Sequence, residues 1–384
     1  MRSILLALIA AASTASAQSQ PFQVQPPAPM ASQLRPLPGT APPEPAIVRF
    51  RADSPRCGAE EQRVLLREEP FPIGVTRAPP AGSRIELRFR IDASGRPLGI
   101  VQERSTIPGY SVQDVPSAFA AWRFAPGGER RDCTIVFSPV VEAVARAAPE
   151  TLYRFLALHP LSGHMRASEV GRPAFERAKP AGTTCFDPRP SVRMLAFPAF
   201  EEIEQPAGTV HFSWLAHDIG PDGRVRNVRL LGSSGNDELD RRSRAAISRS
   251  RFQPGARTGC VFEYHRRAVE PMPAPPPPEE ESFRAAGATC PQEEPQWLHM
   301  PPLDFPAAFN RRSIEGWAIV SYDLAPWGET GNVRVLAAEP AAVFGDQAAR
   351  IVREARTAGG DSGFVGCTAR VIFLMPRDRS DSAD

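Results

Sequence analysis

Six cysteines and six histidines are the residues of this chain best suited to chemistry. Cysteines either pair as disulfides or join histidines in zinc sites, and zinc sites are usually marked by close spacings such as C-x-x-C. No C-x-x-C motif or Cys/His cluster is present. The cysteines are spread widely, at Cys57, Cys133, Cys185, Cys260, Cys290 and Cys367. This pattern favours structural disulfides over a metal site.

Other catalytic patterns are weak. His211 and His217 could share one face of a strand, but sheet-packing or surface histidines explain the spacing more simply. Ser233-Ser-Gly235 lacks the G-x-S-x-G elbow of a nucleophilic serine. Aspartate is common at turns because it hydrogen-bonds locally, and this explains Asp92, Asp222 and Asp323. We therefore predict no catalytic residue, no metal, no cofactor and no enzymatic activity.

The cysteines also mark a repeat. Taken in order as pairs they are 76, 75 and 77 residues apart, and in each pair a glycine follows the first cysteine after 38 residues. These glycines are Gly95, Gly223 and Gly328. Six cysteines allow 15 pairings, and the constant spacing favours Cys57–Cys133, Cys185–Cys260 and Cys290–Cys367. Each bond would tie the start of one of three modules to its final strand.

Each module contains a predicted β-hairpin around its glycine. Alternating apolar and polar residues, which bury one face of a strand, occupy Ile85–Asp92, Thr209–Ala216 and Trp317–Leu324. A helix with one apolar face is predicted next, most clearly in the third module at Phe344, Ala348, Ile351, Val352 and Ala355. The predicted final strands are Thr134–Phe137, Val261–His265 and Thr368–Leu374.

The composition is that of a globular protein, and the N-terminal residues indicate a location outside the cytoplasm. Hydrophobic residues are 42% of the chain, and the net charge of +2 argues against nucleic-acid binding by bulk electrostatics. Arg2, the apolar run Ile4–Ala12 and Ala15-Ser-Ala17 are typical of a signal peptide. The run is shorter than the roughly 20 residues of a membrane span, so we expect no span after cleavage. An uncleaved inner-membrane anchor is the alternative.

Proline-rich stretches precede the first predicted module and separate the second from the third, while a helical insertion separates the first two. We predict a signal peptide at 1–17, a Pro-rich spacer at 18–46, modules at 47–141, 179–270 and 283–376, a helical insertion at 142–178, a Pro/Glu-rich linker at 271–282 and a polar tail at 377–384. Within the insertion, Glu142–Ala147 and Glu150–Leu158 are predicted to be helical.

The second module resembles the TonB C-terminal domain. The resemblance is carried by Gly208-Thr-Val-His-Phe-Ser-Trp214, Asp222-Gly-Arg-Val225, Val228–Gly235 and Arg251-Phe-Gln-Pro254. The first module shares Ile91-Asp-Ala-Ser-Gly95, and the third adds the lead-in Phe305-Pro306. Together the three modules cover most of the mature chain.

The resemblance implies an α+β fold, built here as three tandem small domains that each have a three-stranded antiparallel sheet and helices on one face. Energy transducers of this family grip outer-membrane receptors in a manner similar to β-augmentation, in which a partner segment adds to a sheet edge. The expected function is therefore non-enzymatic binding of cell-envelope proteins in the periplasm, with TonB-dependent outer-membrane receptors as candidates. The chain departs from the family in having three modules, a predicted disulfide in each, and no clear membrane anchor.

The partner-binding prediction falls on Val261, Phe262, Glu263 and Tyr264, in the final strand of the module that matches best. The alternative is that this strand only completes its own sheet. A different class of function also stays open: a secreted hydrolase or small-ligand-binding protein that uses the clefts between modules.

Overall fold

A computed structural model of the chain describes residues 44–107, 114–162, 167–268, 270–291 and 295–376. Within these ranges the fold is α+β, with small antiparallel sheets, six α-helices and three disulfides. The α+β class predicted from the sequence is confirmed. The predicted signal peptide, the predicted polar tail and nearly all of the predicted Pro-rich spacer lie outside the described residues.

The first part of the chain forms a seven-stranded sheet, which we call the first sheet. Its hairpin pairs with one edge of a long final strand, and two N-terminal strands pair with the other edge. The elements in chain order are β1 (Ala46–Ala52), β2 (Arg56–Cys57), β3 (Glu60–Glu61), β4 (Val64–Leu66), β5 (Ile73–Val75), β6 (Ile85–Ile91), β7 (Pro97–Ser105), α1 (Asp114–Ala120), β8 (Arg123–Phe124) and β9 (Arg130–Ala143).

The second sheet, β12-β11-β14, follows two inserted helices. The elements are α2 (Pro149–Leu158), α3 (Ala167–Ala178), β10 (Val192–Met194), β11 (His211–Ile219), β12 (Val225–Ser233), α4 (Asp237–Arg249), β13 (Arg251–Phe252) and β14 (Arg257–Arg266). The helix predicted over Glu150–Leu158 is confirmed. The helix predicted over Glu142–Ala147 is wrong, because Ala46 pairs with Ala143 and so extends β9 into this segment.

The third sheet, β17-β16-β19, is the last one along the described chain. Its segment contains β15 (Trp297–His299), α5 (Ala307–Arg311), β16 (Gly316–Leu324), β17 (Thr330–Glu339), α6 (Ala342–Glu354), β18 (Arg356–Thr357) and β19 (Phe364–Phe373). Short 3-10 helices lie at His159–Ser162, Phe200–Glu202 and Glu280–Phe283.

One local arrangement recurs around all three sheets. In each, the first hairpin strand lies between the second hairpin strand and the final strand, and a helix connects the hairpin to a short strand. Disulfides join Cys57 to Cys133, Cys185 to Cys260 and Cys290 to Cys367. These are the pairs expected from the spacing.

Apolar periodicity explains which helix faces are buried. The predicted face of α6 is confirmed, since Phe344, Ala348, Ile351 and Val352 are all buried. In the second sheet, Leu239, Ala246 and Ile247 of α4 are fully buried, and the last two pack with Leu215 of β11. Phe119 of α1 meets Phe89 of β6 edge to face, with the ring centroids 4.6 Å apart.

A glycine is required in each hairpin turn because the short strand after the helix passes close behind it. Gly223 has a φ of +77°, and its carbonyl accepts a hydrogen bond from Phe252 N at 2.9 Å. A Cβ atom at Gly223 would lie only 2.2 Å from the Phe252 carbonyl oxygen. Gly95 and Gly328 are crowded in the same way by Phe124 and Thr357. This contact accounts for the regular position of the three glycines.

Gly223→Ala tests this crowding against a matched control, Gly235→Ala. Gly235 also has a positive φ, +90°, but nothing lies within 4 Å of a Cβ placed there. We expect Gly235→Ala to cost about 1 kcal/mol of unfolding free energy from backbone strain alone. Gly223→Ala should cost about 2 kcal/mol more because of the steric clash. Urea denaturation followed by circular dichroism measures both, and equal losses would contradict the crowding.

A buried ion cluster joins the segments of all three sheets within the compact unit Pro43–Asp384. Arg312, which follows α5, is fully buried and donates to Asp114 at 3.0 and 2.8 Å and to Glu68 at 2.7 Å. The main-chain N–H of Val210, just before β11, also donates to Glu68. Arg312 lies over the ring of Phe71. Burial alone would lower the pKa of Arg312, but the two carboxylates raise it above its usual value.

Arg312→Met should destabilise the whole unit. Removing the guanidinium leaves two buried carboxylates without their cation, and breaking a buried pair in this way costs roughly 3–5 kcal/mol. The matched control is Arg350→Met, which breaks the exposed Arg350–Asp304 pair and should cost under about 1 kcal/mol. Chemical denaturation with the disulfides intact compares the two. A loss for Arg312→Met no larger than for the control would refute the role of the cluster.

Candidate functional site

The final strand of the second sheet, β14, is paired along one edge only. Its residues Arg257–Arg266 are in antiparallel register with β11, and among the described residues no strand lies on the outer edge. An unpaired edge presents free N–H and C=O groups to any extended segment. The four residues predicted to bind a partner, Val261–Tyr264, lie in the middle of this strand.

In the first sheet the equivalent edge is already occupied by the chain itself. Strand β1 pairs antiparallel with β9 over seven residues, from Ala46↔Ala143 to Ala52↔Phe137. Asp53 N then donates to Val136 O at 2.9 Å, and β2 pairs with β9 at Cys133 and Thr134. The outer edge of a final strand in this protein therefore accepts an added antiparallel strand.

The route of the chain before Cys185 leaves the β14 edge open. Thr184 N donates to Thr258 O at 3.0 Å, and the side chain of Thr183 donates to Gly259 O. The segment thus passes the start of β14 and does not run along it, in contrast to the chain before Cys57. In the third sheet, the 3-10 helix Glu280–Phe283 lies beside the first half of β19. Among the described final strands, β14 and the second half of β19 therefore have no strand on the outer edge, and β14 is distinguished by the aromatic groove beside it.

An aromatic groove of about 630 Å³ follows the open edge. Aromatic anchors are enriched at the centres of protein interfaces. Those lining the groove come from α3, the loops around β10, the short strand β13 and the second sheet: Phe175, Phe186, Phe197, Phe200, Trp214, Phe252, Phe262 and Tyr264. The groove thus combines free main-chain groups with apolar side-chain pockets, which is the combination that β-augmentation uses.

The four predicted residues divide between the two faces of the sheet. Phe262 and Tyr264 pack on the α4 side with Ala246 and Ile247. Tyr264 is buried, its hydroxyl donates to Ala196 O at 2.8 Å, and burial raises its pKa to about 12. Val261 packs on the opposite side, in the cluster formed by α2 and α3. Tyr264 therefore supports the strand, while Val261 and Glu263 face the groove on the α3 side.

Glu263 is the electrostatically unusual residue of the groove. It lies opposite Trp214 in the register, and burial raises its pKa to about 7. Its Oε2 atom, the indole N–H of Trp214 and Nδ1 of His265 are shielded from solvent, and none of them has a hydrogen-bond partner among the described residues. Buried polar groups usually find partners, and a segment bound in the groove would have these three groups available for hydrogen bonds.

The two histidines considered in the sequence lie on one strand and one face. His211 Nδ1 is 3.1 Å from Ser234 Oγ, while His217 stacks on Phe252 with the rings 5.7 Å apart. Burial lowers the pKa of His217 to about 4, so this side chain is neutral at pH 7. Across the described ranges, no group of three or more His, Cys, Asp or Glu side chains is placed to hold a metal ion.

A second cavity lies between the first and third sheets, where the small-ligand alternative would place its site. It has a volume of about 550 Å³, and its walls include Ile100, Phe305 and Val343 with the carboxylates Asp304 and Asp346. Asp304 is already paired with Arg350. The walls are otherwise mostly apolar, so this cavity offers little that could act on a substrate.

One wall of the groove was missed in the sequence, since it comes from α3 and from the loops around β10, outside the predicted hairpin, helix and final strand of the module. Phe175 and Phe186 lie in or next to the insertion, and Phe197 lies in a loop. One signal was available: Glu263 interrupts the otherwise apolar run Val261–Tyr264.

Comparison with known proteins agrees with this geometry for the second sheet. Residues 202–265 match the family model described as Gram-negative bacterial TonB protein C-terminal, a segment that runs from just before β11 into β14. No curated protein matches the chain. The match supports the TonB C-terminal family, a family of non-enzymatic protein-interaction domains, for this segment.

The family match and the disulfides also bear on location. Disulfides persist in oxidising compartments, and together with the TonB match they point to the cell envelope or periplasm. None of the helices in the described ranges is long and apolar enough to cross a membrane.

Glu263→Gln should change how stability depends on pH. Between its ordinary value of 4.5 and about 7, folded Glu263 keeps a proton that the unfolded chain has lost. The unfolding free energy of the native protein therefore falls as pH rises through this window. Glutamine does not titrate, so the variant does not lose this stability. Between about pH 5 and about pH 8, the unfolding free energy of the variant should therefore rise by about 2 kcal/mol relative to that of the native protein.

Urea titrations of both proteins at the two pH values give this difference. His217 and the other titrating groups are present in both proteins, so their contributions cancel. A constant difference between the two proteins across the window would show that Glu263 is not buried as described.

Proposed function

We propose that this protein binds cell-envelope proteins in the periplasm by adding a partner's extended segment to the open edge of β14. The observation that carries the proposal is the contrast between two equivalent edges. The outer edge of β9 already holds an added antiparallel strand, β1, whereas the outer edge of β14 has no strand among the described residues and runs beside an aromatic groove. TonB-dependent outer-membrane receptors are the candidate partners, because residues 202–265 match the TonB C-terminal family.

The three sheets are proposed to be three divergent copies of the TonB C-terminal unit. The recurring strand order, the crowded turn glycines and the position of each disulfide support this interpretation. The copies would have different tasks: the first is occupied by β1, and the second is free to bind. The insertion α2–α3 adds a wall to the groove of the second copy through Phe175.

Affinity capture from an outer-membrane extract tests the proposal, with Val261→Pro as the disabling variant. Proline removes a main-chain donor and disfavours strand pairing. The matched control is Leu230→Pro on β12, at the opposite edge of the same sheet. Phe212 O accepts from Ser234 N on the β12 side, so the alternation along β11 turns the N–H groups of Leu230, opposite Leu215, and Val261, opposite Ala216, away from β11. We expect receptors to be captured by the native protein and by Leu230→Pro, and at least tenfold less by Val261→Pro.

Circular dichroism confirms that both variants are folded before they are compared. Capture that is equal for the two proline variants would place the binding surface elsewhere. Absence of receptor capture, together with turnover of a defined small substrate, would instead favour the hydrolase alternative.

A further inference from the structure

In the part of the chain that the structure describes, the groove beside β14 contains one acidic side chain, Glu263. Glu263 Oε2 is shielded from solvent without a hydrogen bond among the described residues. Arg189 is the one cation among the described residues that line the groove, and no hydrogen bond or ion pair joins it to Glu263. An unpaired carboxylate in an apolar site is costly. Burial therefore favours the protonated form of Glu263, and a cation brought by a bound segment would favour the carboxylate instead.

The first sheet shows how the occupying strand completes such an edge. Arg49 of β1 ion-pairs with Glu142 of β9, with Nε 3.2 Å from Oε1. Arg49 is in register with Val140, so Glu142 is its diagonal neighbour on the adjacent strand. The added strand thus supplies a cation to a carboxylate of the final strand. Glu142 lies farther along its strand than Glu263, so the two positions are not equivalent. What they share is a carboxyl group on a final strand that an added strand can pair with a cation.

The rest of the groove suits a long basic side chain. Glu263 projects from the same face as Val261, toward the side where Phe175 and Phe186 line the groove. The aliphatic stem of lysine or arginine packs well on aromatic rings, and its charged end is attracted to their faces. Trp214, opposite Glu263, adds a further ring to this site.

We infer that the segment accepted by β14 is an extended peptide carrying a lysine or arginine that ion-pairs with Glu263, with apolar residues on either side of it. This inference rests on the proposed function and specifies the chemistry of the partner. Glu263 is then a specificity-determining residue of the edge, while the main-chain ladder supplies binding that does not depend on sequence.

A display library of random segments about seven residues long, the length of an ordinary strand, tests the inference on the immobilised protein. Selected segments are compared on the native protein, Glu263→Gln and Val261→Pro. We expect segments whose binding is lost in Val261→Pro, and we expect these to be enriched in lysine or arginine at one position. The enrichment should disappear when the selection is repeated on Glu263→Gln.

Matched synthetic peptides then isolate the charge. A selected peptide with lysine at the enriched position should bind the native protein about tenfold more tightly than its norleucine analogue, which has the same length but no charge. On Glu263→Gln the ratio should approach one. Fluorescence anisotropy gives both dissociation constants.

The outcomes separate this inference from the proposed function. Segments that need the β14 edge but show no basic preference, or a preference that survives in Glu263→Gln, would overturn the inference and leave edge binding intact. If every selected segment binds Val261→Pro as well as the native protein, both are overturned.

Discussion

The relative placement of the three sheets depends on one buried cation. Arg312, after α5, reaches Glu68 and Asp114 in the first segment, and Glu68 also accepts from Val210 at the start of the second sheet. A fully buried guanidinium is tolerated only where several acceptors satisfy it, so each of the three segments must supply its part in the same place. The cluster therefore favours this arrangement of the three sheets over arrangements in which one sheet is shifted relative to the others.

That arrangement determines which sheet edges are available. The first sheet uses its own N-terminal strand to cover β9, and Glu280–Phe283 flanks β19. The second sheet has its face covered by α2 and α3, which pack around Phe212 and Trp214, while its edge stays open. Exposed sheet edges are a risk for aggregation, and the proposed partner segment would cover this one.

Local patterns in the sequence predicted local structure well. The alternation in Ile85–Ile91 and the helical spacing of Phe344, Ala348 and Ile351 depend only on which face is buried, and both were found as expected. Predictions failed where residues far away in the sequence decide the secondary structure of a segment. Glu142 has a helix-like context, but pairing with β1, about ninety residues earlier in the chain, draws it into β9.

The strand that carries the candidate site was predictable from the sequence, but the surroundings of that strand were not. Val261–Tyr264 could be placed on a final strand from the repeat, yet the groove beside it depends on α3 and on the loops around β10, which come together only in the folded chain. The cluster around Arg312 was invisible for the same reason, since Glu68, Asp114 and Arg312 carry no local pattern. Charges that meet across such long separations are set by tertiary packing.

The disulfide Cys185–Cys260 has a mechanical consequence. Cys260 is the residue directly before Val261. Near its start, β14 is therefore bonded covalently to Cys185, and along its length it is paired with β11. A tensile load applied through a bound segment would be shared between that ladder and a covalent bond. Because Cys185 lies in the loop before β10, the bond keeps the start of β14 beside that loop even when pairing with β11 is lost, and so favours return to the paired strand when the load is released.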